Sequence, residues 1–254
     1  MARKPDAPAG NCKLCLRQAP LAKSHVIPEF IFSGMYDQKH RFLEVADVNA
    51  GKIALGQKGF RERLLCVECE QRLNRHERHA RRLFKDDLPL PVTPEFRRVR
   101  ITNVNPQTLR LFLLSVLWRA GVSSLPVFKH IDLGPHQEKL RTILLSEDAL
   151  PTGGYPCVVM PLFFEGKHFK DFIVEPTPVR LAGHKCFRFV FGGFVSIFFV
   201  SSHMLPPAYL KTALPQSGPF DLYGKELRDV AFLRDVWNRA GETTRDVVTS
   251  FGTE

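Results

Sequence analysis

The hydrophobic and polar pattern divides the chain into stretches of different period. Residues 1–11, with Pro5, Pro8 and Gly10, show no period and read as a flexible lead-in. Pro28 to Met35 reads as a short helix, since proline is tolerated in a first turn. Phe42 to Val48 and Lys52 to Leu55 flank Asn49-Ala50-Gly51, which predicts a hairpin. From Cys66 to about Phe84 the period becomes helical, with Leu73, Ala80, Leu83 and Phe84 on one side and Arg72, Arg75, Arg78 and Arg82 elsewhere. The stretch Leu88-Pro89-Leu90-Pro91-Val92-Thr93-Pro94 then reads as a linker and a domain boundary.

Beyond it, Asn105-Pro106 supplies an N-cap and first-turn proline for a helix over 105–120, with Gly121 as its stop. That helix is apolar on most sides, which predicts a central core position. Gly134-Pro135 opens another helix through Leu145. Between about 155 and 200 the pattern shortens to runs rich in Val, Ile and Phe. The runs 155–164, 169–174, 179–181, 187–191 and 194–200 are punctuated by Glu165-Gly166, Pro176, Ala182-Gly183 and Gly192-Gly193, so an antiparallel sheet is expected. A last helix is expected over 225–240. Its stripe holds Leu227, Val230, Ala231 and Trp237, with Leu233 at the edge and Arg234 snorkelling outward. The expected fold class is therefore α+β: a small domain over 12–88 and an α+β domain over 95–254.

Composition adds little to this until charge is placed along the chain. The 254 residues are 44% hydrophobic and 24% charged, ordinary for a globular domain. The longest apolar run, Phe187 to Val200, is broken by Arg188, Gly192 and Gly193 and falls short of the roughly 20 residues of a membrane span. No apolar segment follows the charged N-terminus, so a secretory signal is not expected and the cytoplasm is the expected compartment. The net charge of +10 is uneven: residues 1–100 carry 20 basic and 12 acidic side chains, the remainder 16 and 14. A concentrated basic surface attracts polyanions.

Cysteine spacing sharpens the N-terminal part. Cys12-Lys13-Leu14-Cys15 and Cys66-Val67-Glu68-Cys69 are two CxxC pairs separated by 50 residues. Two such pairs can turn four thiolates toward one tetrahedral zinc ion. Cys157 and Cys186 lie in apolar runs and read as buried, inert thiols.

Between the pairs lies Ser24-His25-Val26-Ile27-Pro28, and the second pair is preceded by Leu65 and followed by Glu70. This order, CxxC, then SHVIP, then LCxxCE, resembles the HNH nuclease superfamily over about residues 12–84, in particular a bacterial subset with SHxIP and LLCxxCE signatures. The resemblance implies a ββα finger of treble-clef type, with Cys12, Cys15, Cys66 and Cys69 on a structural zinc. It implies His25 as general base for attack of water on a phosphodiester, with a separate magnesium or manganese ion at the scissile phosphate. It also implies a DNA partner, RNA being the alternative, and a role in defence against foreign DNA.

The chain departs from the family pattern at three places. Ser24 stands where a metal-binding aspartate is usual, Arg61 where an asparagine often precedes the second pair, and Glu70 where Asn or His follows the last cysteine. Glu70, Asn74 and Glu77, at i, i+4 and i+7 of one helix, are the replacement ligand set, being hard oxygen donors on one face. His76 and His79 are further candidates beside them. Arg61, Arg63, Arg72, Arg75, Arg78 and Arg81 are expected to contact phosphates rather than bases. Two other functions use the same features: a non-catalytic zinc-dependent nucleic-acid-binding protein, and a zinc-stapled interaction module whose Phe-rich sheet docks a protein partner or a second copy. The 95–254 part carries no motif that converts to chemistry.

Overall fold

The computed structural model describes residues 8–85, 97–146, 154–201, 203 and 205–239. The proline-rich linker and residues 240–254 fall outside the described residues. In chain order the elements are β1 (Ala9–Asn11), β2 (Gln18–His25), α1 (Glu29–Phe32), β3 (Phe42–Asp47), β4 (Lys52–Gly56), β5 (Arg61–Cys66), α2 (Val67–Lys85), β6 (Arg98–Ile101), α3 (Pro106–Val122) and α4 (His136–Ser146). They continue as β7 (Cys157–Phe164), β8 (Lys167–His168), β9 (Phe172–Leu181), β10 (His184–Phe191), β11 (Phe194–Phe199), α5 (Pro207–Thr212), β12 (Phe220–Tyr223), β13 (Lys225–Glu226) and α6 (Ala231–Arg239). The chain is thus mixed helix and sheet.

Among the described residues the strands form three sheets. A small one runs β1-β2-β5, a ribbon pairs β12 with β6, and a large one runs β13-β7-β11-β10-β9-β3-β4 with β8 on β7. The hairpin turns of the large sheet use left-handed pairs: Ala182-Gly183 between β9 and β10, and Gly192-Gly193 between β10 and β11, all at positive φ. Two-residue turns of this hand match the strand twist.

Several expectations change here. The sheet is not purely antiparallel, because β3 pairs parallel to β9 and β13 parallel to β7. The runs read as 169–174 and 179–181 form one strand, β9, carried through Pro176. Thr177 faces Arg188 and Val174 faces Val190, so Glu175 and Pro176 oppose Phe189 alone. The bulge removes Pro176 from the ladder, the condition under which a strand keeps a proline.

Gly121 does not stop α3, which continues to Val122 with Ser123 as cap. Its place is set by packing, because a Cβ there would lie 2.3 Å from Leu133 Cδ1. The last helix starts later than the pattern suggests. Lys225 and Glu226 pair with Leu162 and Phe163, and the buried Glu226 meets Arg97. In α6 the buried side chains are Leu233 and Val236, and Trp237 is 57% exposed.

The hairpin between the two CxxC pairs belongs to the large sheet, through β3 and β9. Helix α2 likewise reaches into the 95–254 part. Its Phe84 ring lies 5.7 Å from Phe112 of α3 and 5.0 Å from Phe194 of β11. One continuous apolar cluster runs from Cys12 and Leu64 through Phe84 and Trp118 to Phe198. The core therefore crosses the linker rather than dividing at it.

Candidate metal centre and the adjoining histidine cluster

The first CxxC pair forms a tight turn. Leu16 N–H donates to Cys12 O and Cys12 N–H to Arg17 O, both at 2.9 Å, and Leu16 takes a left-handed φ of 62° to close it. Lys13 N–H donates to Leu64 O, which fastens the turn to β5. On the other side Cys66 ends β5 and Cys69 lies in the first turn of α2. A register shift between Leu21 and Lys23 bends β5 beside Cys66, and Arg63 Nη1 donates to the Leu21 carbonyl there. The sulfurs of Cys12, Cys15, Cys66 and Cys69 consequently lie within 4.8 Å of one another, with Cys15 and Cys66 at 3.9 Å.

Tetrahedral bonds of 2.3 Å place ligand sulfurs about 3.8 Å apart, so this spacing suits zinc. Burial raises the pKa of the Cys15 thiol, but hydrogen bonds from Arg17, Cys12 and Cys69 outweigh it and bring it to about 6. Burial pushes the Cys66 and Cys69 thiols up. Crowded sulfurs of this kind lose their protons together only when a cation shares the charge. Cys157 and Cys186 lie far from this cluster in sequence, fully buried, with thiols raised by burial to about 12 and about 11.

Next to the cysteines, β2 delivers Ser24 and His25 to the side of α2. His25 is the last residue of β2 and pairs with Arg61 of β5. Its Nε2 lies 2.9 Å from Glu29 Oε2, at the start of α1, and Arg61 Nη2 donates to the same oxygen at 2.8 Å. A carboxylate only accepts, so Nε2 carries the proton and Nδ1 keeps its lone pair. Burial, then the Arg61 cation, holds the imidazole below its ordinary pKa against the opposing pull of Glu29 and Glu77. The ring keeps 27% of its side-chain exposure.

The expected oxygen ligands on α2 have different surroundings. Asn74 is exposed and lines an open groove of about 620 Å³ with Glu68, Gln71, Arg72, Arg75 and Arg78. Glu77 accepts from the buried Arg119 of α3 at 2.8 Å. The Glu70 carboxyl is raised by burial and lowered by the neighbouring Ser24 hydroxyl, although neither Glu70 Oε1 nor Ser24 Oγ reaches good hydrogen-bond geometry with a partner. Among the described residues the four cysteines are the one group of three or more His, Cys, Asp or Glu side chains whose ligand atoms converge. Glu77 is thus held by an arginine and Asn74 faces the groove, while the Glu70 and Glu77 carboxylates lie near enough to act on each other electrostatically.

His76 is buried, and His79 Nε2 accepts from the Asn105 N–H at 2.8 Å, which joins α2 to the start of α3. The arginines also separate by role. Arg61 and Arg63 serve Glu29 and Leu21, and Arg72 donates to Leu145 O. Arg75, Arg78 and Arg81 are exposed along α2. The sequence did not single out Glu29, Glu62 or Arg119. Glu62 holds the end of α3 through Ser123 Oγ at 2.6 Å and Ser124 N at 3.0 Å. The spacing of Glu29 from His25, four residues, was a signal for an ion pair; no local pattern marked Arg119.

Comparisons with protein-family models, curated proteins and solved structures found no match. Among the described residues no helix is long and apolar enough to cross a membrane.

Proposed function

We propose that the chain is a zinc-stabilised nuclease of HNH type, built on a treble-clef finger and acting on nucleic acid, DNA foremost. The observation that carries this proposal is His25: a partly exposed imidazole at the end of β2, its Nε2 committed to Glu29 and its lone pair left on Nδ1. An imidazole kept neutral at neutral pH is suited to take a proton. Nδ1 would remove a proton from water, the oxygen would attack phosphorus, and the P–O bond to the leaving sugar oxygen would break, that oxygen taking its proton from solvent. Arg75, Arg78 and Arg81 would hold neighbouring phosphates without reading sequence.

Zinc on Cys12, Cys15, Cys66 and Cys69 would hold the turn, β5 and α2 together and take no part in the chemistry. No step is assigned to magnesium or manganese on Glu70, Asn74 and Glu77, because Glu77 is paired with Arg119 and Asn74 faces an open groove. That same arrangement favours a second function, nucleic-acid binding without cleavage. Purified protein should be incubated with plasmid and single-stranded substrates across added divalent ions. Zinc-dependent binding with nicking or linearisation supports the nuclease; binding with no cleavage under any condition replaces it with the binding protein.

A further inference from the structure

The cluster around His25 contains a cation that neither the finger nor its motifs supply. Arg119 lies in α3, 94 residues from His25, and is 1% exposed. Its Nη1 donates to the His25 carbonyl at 2.6 Å and to Glu77 Oε1 at 2.8 Å. Its Nε and Nη2 lie 3.3 Å from Ser115 O and Oγ, so the fork is held from its own helix. A buried guanidinium is tolerated only when paired and hydrogen-bonded in this way.

We propose that Arg119 is a positioning residue for His25, fixing the end of β2 against α2 and making the site depend on the helix at the centre of the 95–254 part. This rests on the nuclease proposal above. The backbone and the ring of His25 are held separately. Glu29, itself held by Arg61, fixes the ring, whereas Arg119 fixes the carbonyl at the point where strand pairing ends and Val26 N–H turns to Phe60 O. The charged groups facing His25 are Glu29 from α1, Arg61 from β5, Glu77 from α2 and Arg119 from α3. A slack carbonyl would let the imidazole drift from its attacking water, and misplacement of about 1 Å costs on the order of 10²-fold in rate.

The test uses the full chain with zinc and two variants. Arg119→Lys keeps the charge but loses the fork; the paired Arg119→Met, Glu77→Met change removes both buried charges at similar volume, so that neither is stranded. Both are expected to keep zinc content and DNA affinity. The paired variant should lose roughly 10- to 100-fold in kcat with KM nearly unchanged, and Arg119→Lys should restore part of that. The His25 imidazole NMR signals should shift in both variants, while those of the buried His184, on β10, stay in place.

Variants that fold, cut like wild type and leave the His25 signals unmoved overturn the proposal. Should the paired variant not fold, Arg119→Lys decides it by the same two measurements. Should wild type cut nothing, the nuclease function fails, and unmoved His25 signals in Arg119→Lys still sink the positioning role.

Discussion

His25 joins two properties that seldom coincide in one side chain, a fixed ring and a free lone pair. Glu29 and Arg61 supply the first, and partial burial supplies the second by keeping the ring neutral. His25→Ala should therefore leave zinc content and affinity close to wild type and lower cleavage by about 10²- to 10⁴-fold, measured in single-turnover assays. The pH dependence follows from the sign of the shift. Burial holds the pKa of His25 and of His79 below that of a free imidazole. The folded state thus favours the neutral rings, and the stability they contribute is present above about pH 6.5 and is lost as pH falls toward their folded values. His136 is lowered by burial in the same way, so denaturant midpoints should fall across that window in wild type and fall less in His79→Ala, where one of the three rings is gone. An equal fall in the two proteins would reject a contribution from His79.

At the scale of the element, caps and close approaches set where helices begin and end. Asn105 caps α3 by accepting from Thr108 N–H at 3.0 Å, so Asn105→Ala should lower the unfolding free energy by about 1 kcal/mol. Gly121 offers a sharper test, because two effects oppose. Helix propensity alone favours Gly121→Ala by roughly 1 kcal/mol. Overpacking in a filled core costs about 1–3 kcal/mol, and the added Cβ would meet the buried Leu133 at 2.3 Å. The clash should win and the melting temperature should fall; a rise would mean that Leu133 repacks freely. On α2 the exposed arginines are expected to act as point charges on phosphates. Arg75→Ala with Arg78→Ala should flatten the slope of log K against log salt by up to about 2 in duplex-DNA titrations. An unchanged slope would place the nucleic acid elsewhere.

Among the described residues the main apolar cluster spans the cysteine turn, α2, α3 and the large sheet, with two smaller clusters beside it, and the response to damage should show this. Phe84 touches Phe30, Phe112, Phe191 and Phe194, side chains from α1, α3, β10 and β11. Phe84→Ala should cost about 3–5 kcal/mol. Since the hairpin β3–β4 is tied into the large sheet, the loss should appear as one lowered transition for all probes rather than a separate melting of residues 12–85. Stripping zinc with a chelator should act the same way, lowering the midpoint of the entire chain. Two resolved transitions by near-UV circular dichroism and calorimetry would contradict a shared core.

Local features of the chain are legible in its amino acids alone. The CxxC spacing announces the sulfur cluster, the asparagine and proline at 105–106 announce the start of α3, and the glycine-containing pairs announce the hairpins of the large sheet, because caps, turns and ligand spacing act over a few residues. The apolar face of α2 is legible for the same reason: periodicity places Leu73, Ala80, Leu83 and Phe84 on one side wherever that side is buried. Elsewhere distant contacts decide the outcome. Pro176 stays in a strand because Phe189 across the ladder accepts a bulge; Gly121 stays in a helix because Leu133 needs the room; Lys225 and Glu226 leave the helical pattern because β7 and Arg97 take them. The site divides in the same way. The cysteines and His25 are marked by sequence, but Glu77, which spacing offers as a metal ligand, is the partner of an arginine from another helix. Spacing along a helix tells which side chains share a face, and only the tertiary structure decides what that face meets.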